Sequence, residues 1–212
     1  MSDSNNSAFL EERFYDDLEQ TLETAWILLY RAAIDRHSPM HTPVLANTGI
    51  DGTASARTTV LRHVDRQNRR LRIHTDMRSP KVEQLAQRPQ CQVVAYHPGH
   101  KVQLRMGGNA KIHNADSAAR DFWSQTSLSS RRCYLAEHPP GTPSPVPTSA
   151  LPDVVSGRVP DESESEPGFG QFAVLLITID TLEWLYLAAR GHRRARFSWT
   201  ADNGLKSKWL TP

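Results

Sequence analysis

The chain has 212 residues, 38% of them hydrophobic, with 25 basic and 23 acidic side chains and a formal charge of +2. That length fits one domain or two small ones, the apolar content excludes a fully disordered chain, and the near balance of charge argues against a nucleic-acid partner. No apolar run nears the ~20 residues of a membrane span, the opening MSDSNNSAFLEERF lacks a signal-peptide pattern, and Cys91 and Cys133 build neither a CxxC unit nor a disulfide framework, which points to a reducing, cytoplasmic setting.

The first element is expected as a helix over residues 9–34. Phe14, Leu18, Leu22, Ala25, Leu29 and Ala33 recur at helical spacing as one apolar stripe. Asp16 and Asp17 lie early and Arg31 and Arg36 late, as the helix dipole prefers. Pro39 and Pro43 end it.

The period then changes. Residues 42–47 and 54–64 read as extended runs around the turn Gly49-Ile50-Asp51-Gly52, and 71–75 alternates as a strand with one buried face. Ser79 and Pro80 open a short helix that runs to about Gln87, with Val82, Leu85 and Ala86 facing inward and Pro89 as its stop. Residues 91–96 and 101–112 are two more strands around His97-Pro98-Gly99-His100, and a helix covers 116–124.

Residues 139–160 hold seven of the 14 prolines, and Asp161-Glu162-Ser163-Glu164-Ser165-Glu166 follows directly. That composition cannot build a packed core, so 139–168 is expected as a mobile loop within a single domain spanning 1–212. After it come a buried strand over 171–179, a turn at Asp180-Thr181, an extended run over 182–188 and a last strand over 193–200. Trp209-Leu210-Thr211-Pro212 is an apolar end that docks. Strands dominate and their connections are short, which favours an antiparallel barrel with peripheral helices.

The group with the most chemistry is Arg57, Arg62, Thr75, Ser79 and Lys81. A helix N-terminus presents unpaired N–H groups and the positive dipole end, and so accepts phosphate. Lys81 adds a point charge, Ser79 a hydroxyl, and a facing strand with Arg57 completes a clamp. Arg57 and Arg62 lie five apart, which puts them on opposite faces of one strand unless a bulge intervenes. Arginine outnumbers lysine, 20 to 5, which phosphate recognition and genomic base composition explain equally well. His97 and His100 frame a turn with no third ligand, so no metal site is expected. The basic run at 190–196 alternates onto both faces of a strand rather than forming one patch.

The ordered set SARTTVLRHVD, RRLRIHTDMRSPKVEQLAQRPQ and CQVVAYHPGHKVQLRMGG resembles the pyridoxamine 5'-phosphate oxidase family of FMN-binding split barrels. The resemblance implies a mainly β fold with peripheral helices, a six-stranded antiparallel split barrel that binds FMN at a homodimer interface. It implies that Arg57 and Lys81 contact the FMN phosphate with help from Ser79, and that Thr59, Val60, Leu61 and Arg62 run beside the flavin. His74 and Thr75 would follow the flavin edge and ribityl chain, Gln103 would border the ring, and Trp184 and Arg196 would approach it from the C-terminal motif. The core reading of Trp184, Tyr186 and Trp199 stands beside the stacking one.

Three departures stand out. Pro80 replaces an arginine of the family's Ser-Arg-Lys. His192-Arg193-Arg194-Ala195-Arg196 replaces its Arg-Leu-His-Asp-Arg substrate motif, and residues 134–140 lack its Gln-Ser. The expected function is therefore an FMN-dependent oxidoreductase related to the vitamin enzyme but acting on another small molecule, with no evident general base. The alternative is a non-catalytic flavin or haem binder on the same barrel.

Overall fold

A computed structural model describes residues 14–189, 191–200 and 202–212. The expected helical residues 9–13 and Arg190 of the basic run lie outside these. Helix α1 is Leu18–Ile34, capped by the Asp17 carboxylate, which accepts from the Gln20 amide at 2.8 Å. It buries Ala25, Trp26, Leu28, Leu29 and Ala32 against the sheet, each of the larger side chains contributing about 1.5–3 kcal/mol by burial.

Among the described residues nine strands form one antiparallel, unclosed sheet: β1 (Val44–Thr48), β2 (Ala54–Thr58), β3 (Leu61–Asp65), β4 (Arg70–Asp76), β5 (Gln90–His97), β6 (Val102–Asn114), β7 (Phe172–Tyr186), β8 (Arg193–Trp199) and β9 (Leu205–Leu210). The order is β2-β1-β5-β6-β7-β4-β3, and β8 pairs with both β7 and β9. The six-stranded expectation is thus corrected upward. The long β7 accounts for the split shape: on the side away from β6, its first half pairs with β4 and its second half with β8.

Two expected boundaries move. The single run over 54–64 breaks at Thr59-Val60, because the Thr59 amide and hydroxyl both donate to the Pro43 carbonyl, at 2.9 and 3.1 Å. β2 then stays with β1 while β3 re-pairs with β4. Asp180-Thr181 makes no turn and β7 continues through it, but Asp180 is the extra residue of a bulge: Gly107 pairs with Thr181 and Gly108 with Ile179, and the unpaired Asp180 turns its carboxylate to accept from Asn109 Nδ2 at 2.7 Å.

Helix α2 is Pro80–Gln87, with Val82 and Leu85 buried and Ala86 turned outward, against expectation. Helix α3 (Ser117–Ser124) packs Trp123 with Tyr134, Phe172 and Val174 in a second, smaller core. A four-residue turn of helix, α4, is Leu128–Arg131. The proline-rich and acidic stretch carries a 3-10 turn at Asp153–Val155 and a capped helical turn, α5, at Glu162–Ser165; Val155 and Ser165 are buried. The C-terminal Trp209 lies in β9, 40% exposed, rather than docked in the core.

Candidate functional site

The sharpest polar constellation lies between the β1–β2 hairpin and α2. Leu45 and Arg57 are cross-strand partners. The Arg57 guanidinium donates to the Leu45 carbonyl at 3.1 Å, to Asn47 Oδ1, to Ser55 Oγ and to Gln84 Oε1 at 3.5 Å. Asn47 Nδ2 donates to the same Gln84 oxygen at 2.9 Å, tying strand to helix. At the start of α2, Lys81 Nζ donates to Ser79 Oγ at 2.6 Å. Burial pushes the Lys81 ammonium below its ordinary pKa, and the Arg57 charge adds to that shift.

Among the described residues neither Arg57 nor Lys81 forms an ion pair. The oxygens that accept from them are carbonyls and hydroxyls, all neutral. The nearby Asp76 carboxylate is taken by Arg78, which donates from Nε at 3.0 Å, from Nη2 at 2.7 Å and from its amide at 2.8 Å. A phosphate dianion fits this setting: two half-buried positive charges, a buried Ser79 hydroxyl and the positive end of α2 converge on one spot. Pro80 supplies neither side-chain charge nor N–H there.

The residues after the β2–β3 break divide by exposure. Thr59 is buried and hydrogen-bonded, Val60 half-buried, and Leu61 fully enclosed in the core. Arg62 is exposed at a bulge between Leu61 and His63, so it leaves the ladder and need not oppose Arg57 on one strand. His74 stands edge-on to Phe172, with ring centroids 4.9 Å apart, and its pKa is pushed down to about 3 by burial and by the Arg72 and Arg62 charges. Thr75 is buried and lines a cavity of about 650 Å³ with Asp76, Cys133, Tyr134 and the proline-rich segment.

Gln103 and Arg196 lie on the opposite face of the sheet. The register runs Thr58–Val44–Val94–Arg105–Glu183–Arg196–Lys208 across seven strands, alternate to the face of Leu45 and Arg57. At its centre is Glu183, buried to 6% exposure. Its carboxylate accepts from Arg196 Nε at 2.8 Å, Arg194 Nη2 at 2.7 Å and Arg105 Nη1 at 3.5 Å. Burial alone pushes this carboxyl up; the hydrogen bonds from Arg194 and Arg196 outweigh it and hold it below the usual range.

Trp184 is a correction. The bulge at Asp180 resets the phase of β7 and turns Trp184 inward with Leu182, fully enclosed in the main core, so it offers no surface to a ligand. The basic run alternates along β8 as expected: Arg194 and Arg196 share the Glu183 face, while Arg193 falls on the alternate register with the buried Ala195 and Phe197 and pairs with Asp16 at 2.8 Å. Sequence reasoning missed Asn47, Gln84, Arg72 and Glu183. Gln84 carried a usable signal, since it lies one helical turn beyond Lys81. Glu183 carried none before the β7–β8 register was known. Among the described residues no cluster of metal-ligating side chains occurs, and no helix is long and apolar enough to cross a membrane.

Comparison with known proteins bears directly on this site. Residues 23–114, which contain the hairpin, α2 and Gln103, match the family model for the pyridoxamine 5'-phosphate oxidase FMN-binding domain. A pyridoxine/pyridoxamine 5'-phosphate oxidase of Arabidopsis thaliana is 27% identical over 199 residues, 88% of this chain and 94% of the relative. Two solved structures share the fold. One is a pyridoxamine 5'-phosphate oxidase-related, FMN-binding protein of Nostoc punctiforme, with TM-score 0.70, 22% identity and coverage of 90% of this chain and 96% of that one. The other is PhzG of Burkholderia lata, solved with tetrahydrophenazine-1-carboxylic acid, with TM-score 0.70, 20% identity and coverage of 96% and 98%. The Arg57–Lys81 pair falls inside residues 23–114, the segment that matches the pyridoxamine 5'-phosphate oxidase FMN-binding domain.

Proposed function

We propose that the protein is an FMN-dependent oxidoreductase acting on a small molecule, working as a homodimer with the flavin between two copies. The observation that carries this reading is the Arg57–Lys81 pair, two cations held by neutral oxygens at the start of α2. When bound, FMN supplies hydride or single-electron transfer that no side chain offers. Arg57, Lys81 and Ser79 grip its phosphate. Thr59, Val60, Arg62, His74 and Thr75 border the ribityl chain and the ring. Leu61 and Trp184, enclosed in the core, support these residues by packing.

Gln103 and Arg196 lie on the face opposite the clamp, so they reach the same flavin from a second copy. That face also leaves Val44 and Tyr96 39% and 43% exposed, an apolar surface for the second copy to cover. Arg196 then brings positive charge to the ring, which favours the anionic reduced form.

The experiment is the absorption spectrum of the purified protein, followed by turnover of a reductant with oxygen. The reading predicts bound flavin, a dimer by light scattering, and turnover above that of equimolar free FMN. A colourless protein that neither quenches nor is stabilised by added FMN sinks it. Bound flavin with no turnover above free FMN favours a flavin carrier instead.

A further inference from the structure

Helix α1 carries a second apolar face that the fold leaves uncovered. Its inner face packs Ala25, Leu28, Leu29 and Ala32 onto the sheet. On the outside Ile27, Tyr30 and Ile34 are 40%, 55% and 68% exposed. They recur at spacings of three and four, so they are neighbours on one side of the helix. Large apolar side chains gathered in this way mark an interaction site, whereas scattered ones need no explanation. Beside them lies a groove of about 370 Å³, walled by Trp26, Ile27, Tyr30 and Ile34 of α1 and Val64 of β3, with Arg66 at its rim. None of these residues belongs to the phosphate clamp or to the strands that carry Gln103 and Arg196.

The stripe continues toward the start of α1 through Gln20 and Glu23, so positions 20, 23, 27, 30 and 34 follow the three–four alternation of a helix-packing seam. Charge divides along the same helix. Glu19 and Glu23 lie in its first half, and Arg31 and Arg36 lie at its end, with Arg66 alongside. The carboxylate at that end, Asp35, is turned back to accept from the His37 amide at 2.9 Å. Among the described residues neither Glu19 nor Arg36 forms an ion pair.

We propose that this face of α1 is a self-association surface, on which a second copy of the chain docks antiparallel. Turned end for end, the stripe complements itself, as a twofold interface requires. Ile34 of each copy meets Ile27 of the other, and the two Tyr30 side chains meet near the twofold axis. The acidic half of each helix lies beside the basic end of the other, where a parallel pair would set like charge against like. Three apolar side chains make a small core, so the association is reversible and depends on concentration. The surface is separate from the sheet face invoked for flavin binding and does not rest on that reading.

The test is sedimentation velocity of the full chain at low salt over a wide concentration range, for wild type and Ile34→Glu, a change at an exposed position. The wild type should approach a limiting mass of four chains if the sheet face also pairs, and of two if it does not. In either case Ile34→Glu should halve that mass or move the association to concentrations about 10-fold higher or more, and raised salt should weaken it in the wild type. FMN uptake should be the same in both proteins, and its absence from both would count against the oxidoreductase reading alone. In a Cys133→Ser background, Tyr30→Cys should cross-link to its own copy under mild oxidant, and adding Ile34→Glu should suppress the cross-link. A limiting mass that Ile34→Glu leaves unchanged overturns the proposal, as does cross-linking that Ile34→Glu does not slow. Unchanged mass together with binding of anilinonaphthalene sulfonate that Ile34→Glu abolishes would give the groove to a small amphipathic anion instead.

Discussion

Arg57 sits directly across the β1–β2 ladder from Leu45 and returns a hydrogen bond to that residue's carbonyl at 3.1 Å. The guanidinium is thus folded back onto its own hairpin and braced by Asn47, Ser55 and Gln84 before any ligand arrives. Bracing of this kind lowers the ordering cost of binding. Lys81, by contrast, hydrogen-bonds among the described residues to Ser79 alone, two residues away.

The two cations should therefore differ in their effect on stability. Arg57→Met leaves Asn47 and Gln84 short of a charged donor and should cost about 1–3 kcal/mol. Lys81→Met removes a charge that burial already disfavours and should leave stability unchanged or slightly higher. The sign follows from linkage: a lysine whose pKa is lowered on folding weakens the fold below that pKa, and the penalty fades as pH rises toward 10.5. Urea denaturation of both variants at neutral pH checks the contrast. Equal destabilisation by the two would show that Lys81 is also a structural partner.

His74 should make the protein acid-sensitive. Its pKa falls from 6.5 in the unfolded chain to about 3 in the fold, chiefly by burial. The unfolded chain binds the extra proton between these values, so His74 costs stability as pH drops from about 6.5 toward 3, at roughly 1.4 kcal/mol per pH unit. His74→Phe, which keeps the edge-on contact with Phe172, should flatten that part of the profile. Melting curves at pH 7, 6 and 5 measure it. Parallel loss in wild type and variant would assign the acid sensitivity to other groups.

Gly108 is required by close approach. A Cβ there would lie 2.0 Å from the Thr178 carbonyl oxygen, a backbone atom that cannot yield without opening the β6–β7 ladder at its bulge. Gly108→Ala should cost about 3 kcal/mol. At Gly107 the nearest obstacle is the Thr181 hydroxyl, 2.7 Å away, which can rotate. Gly107→Ala should cost clearly less, and thermal unfolding of the pair ranks them.

Glu183 holds Arg194 and Arg196 together, and Arg105 more loosely. Glu183→Gln keeps the shape and removes the charge, which leaves three like charges around one amide. A loss of about 1–3 kcal/mol is expected, discounted for the partial exposure of the arginines. Raised salt should recover part of it by screening. A loss that does not change with salt would mean that packing, not charge, accounts for Glu183.

Much of this was legible in the chain itself. Strand alternation marked β4, β5 and β6, and Ser79-Pro80 marked the start of α2 to the residue. Arg57, Ser79 and Lys81 were recognisable because phosphate chemistry needs those side chains at a helix opening. What pattern could not give was pairing. Whether Thr59-Val60 interrupts a strand depends on the distant Pro43 carbonyl. Whether Trp184 faces a ligand or the core depends on the phase of β7, which the slip at Gly107/Gly108 and the pairing with β8 determine. Arg72 looked like one more strand arginine until Phe122 and the bulge at Arg62 surrounded it.

The most direct measurement is a fluorescence titration of FMN into flavin-free wild type and Lys81→Met at moderate salt. The account predicts saturable quenching in the wild type and an affinity about 10–100-fold lower in the variant, with riboflavin, which lacks the phosphate, bound weakly and equally by both. Wild type and Lys81→Met binding FMN alike, or riboflavin matching FMN, would contradict the phosphate clamp.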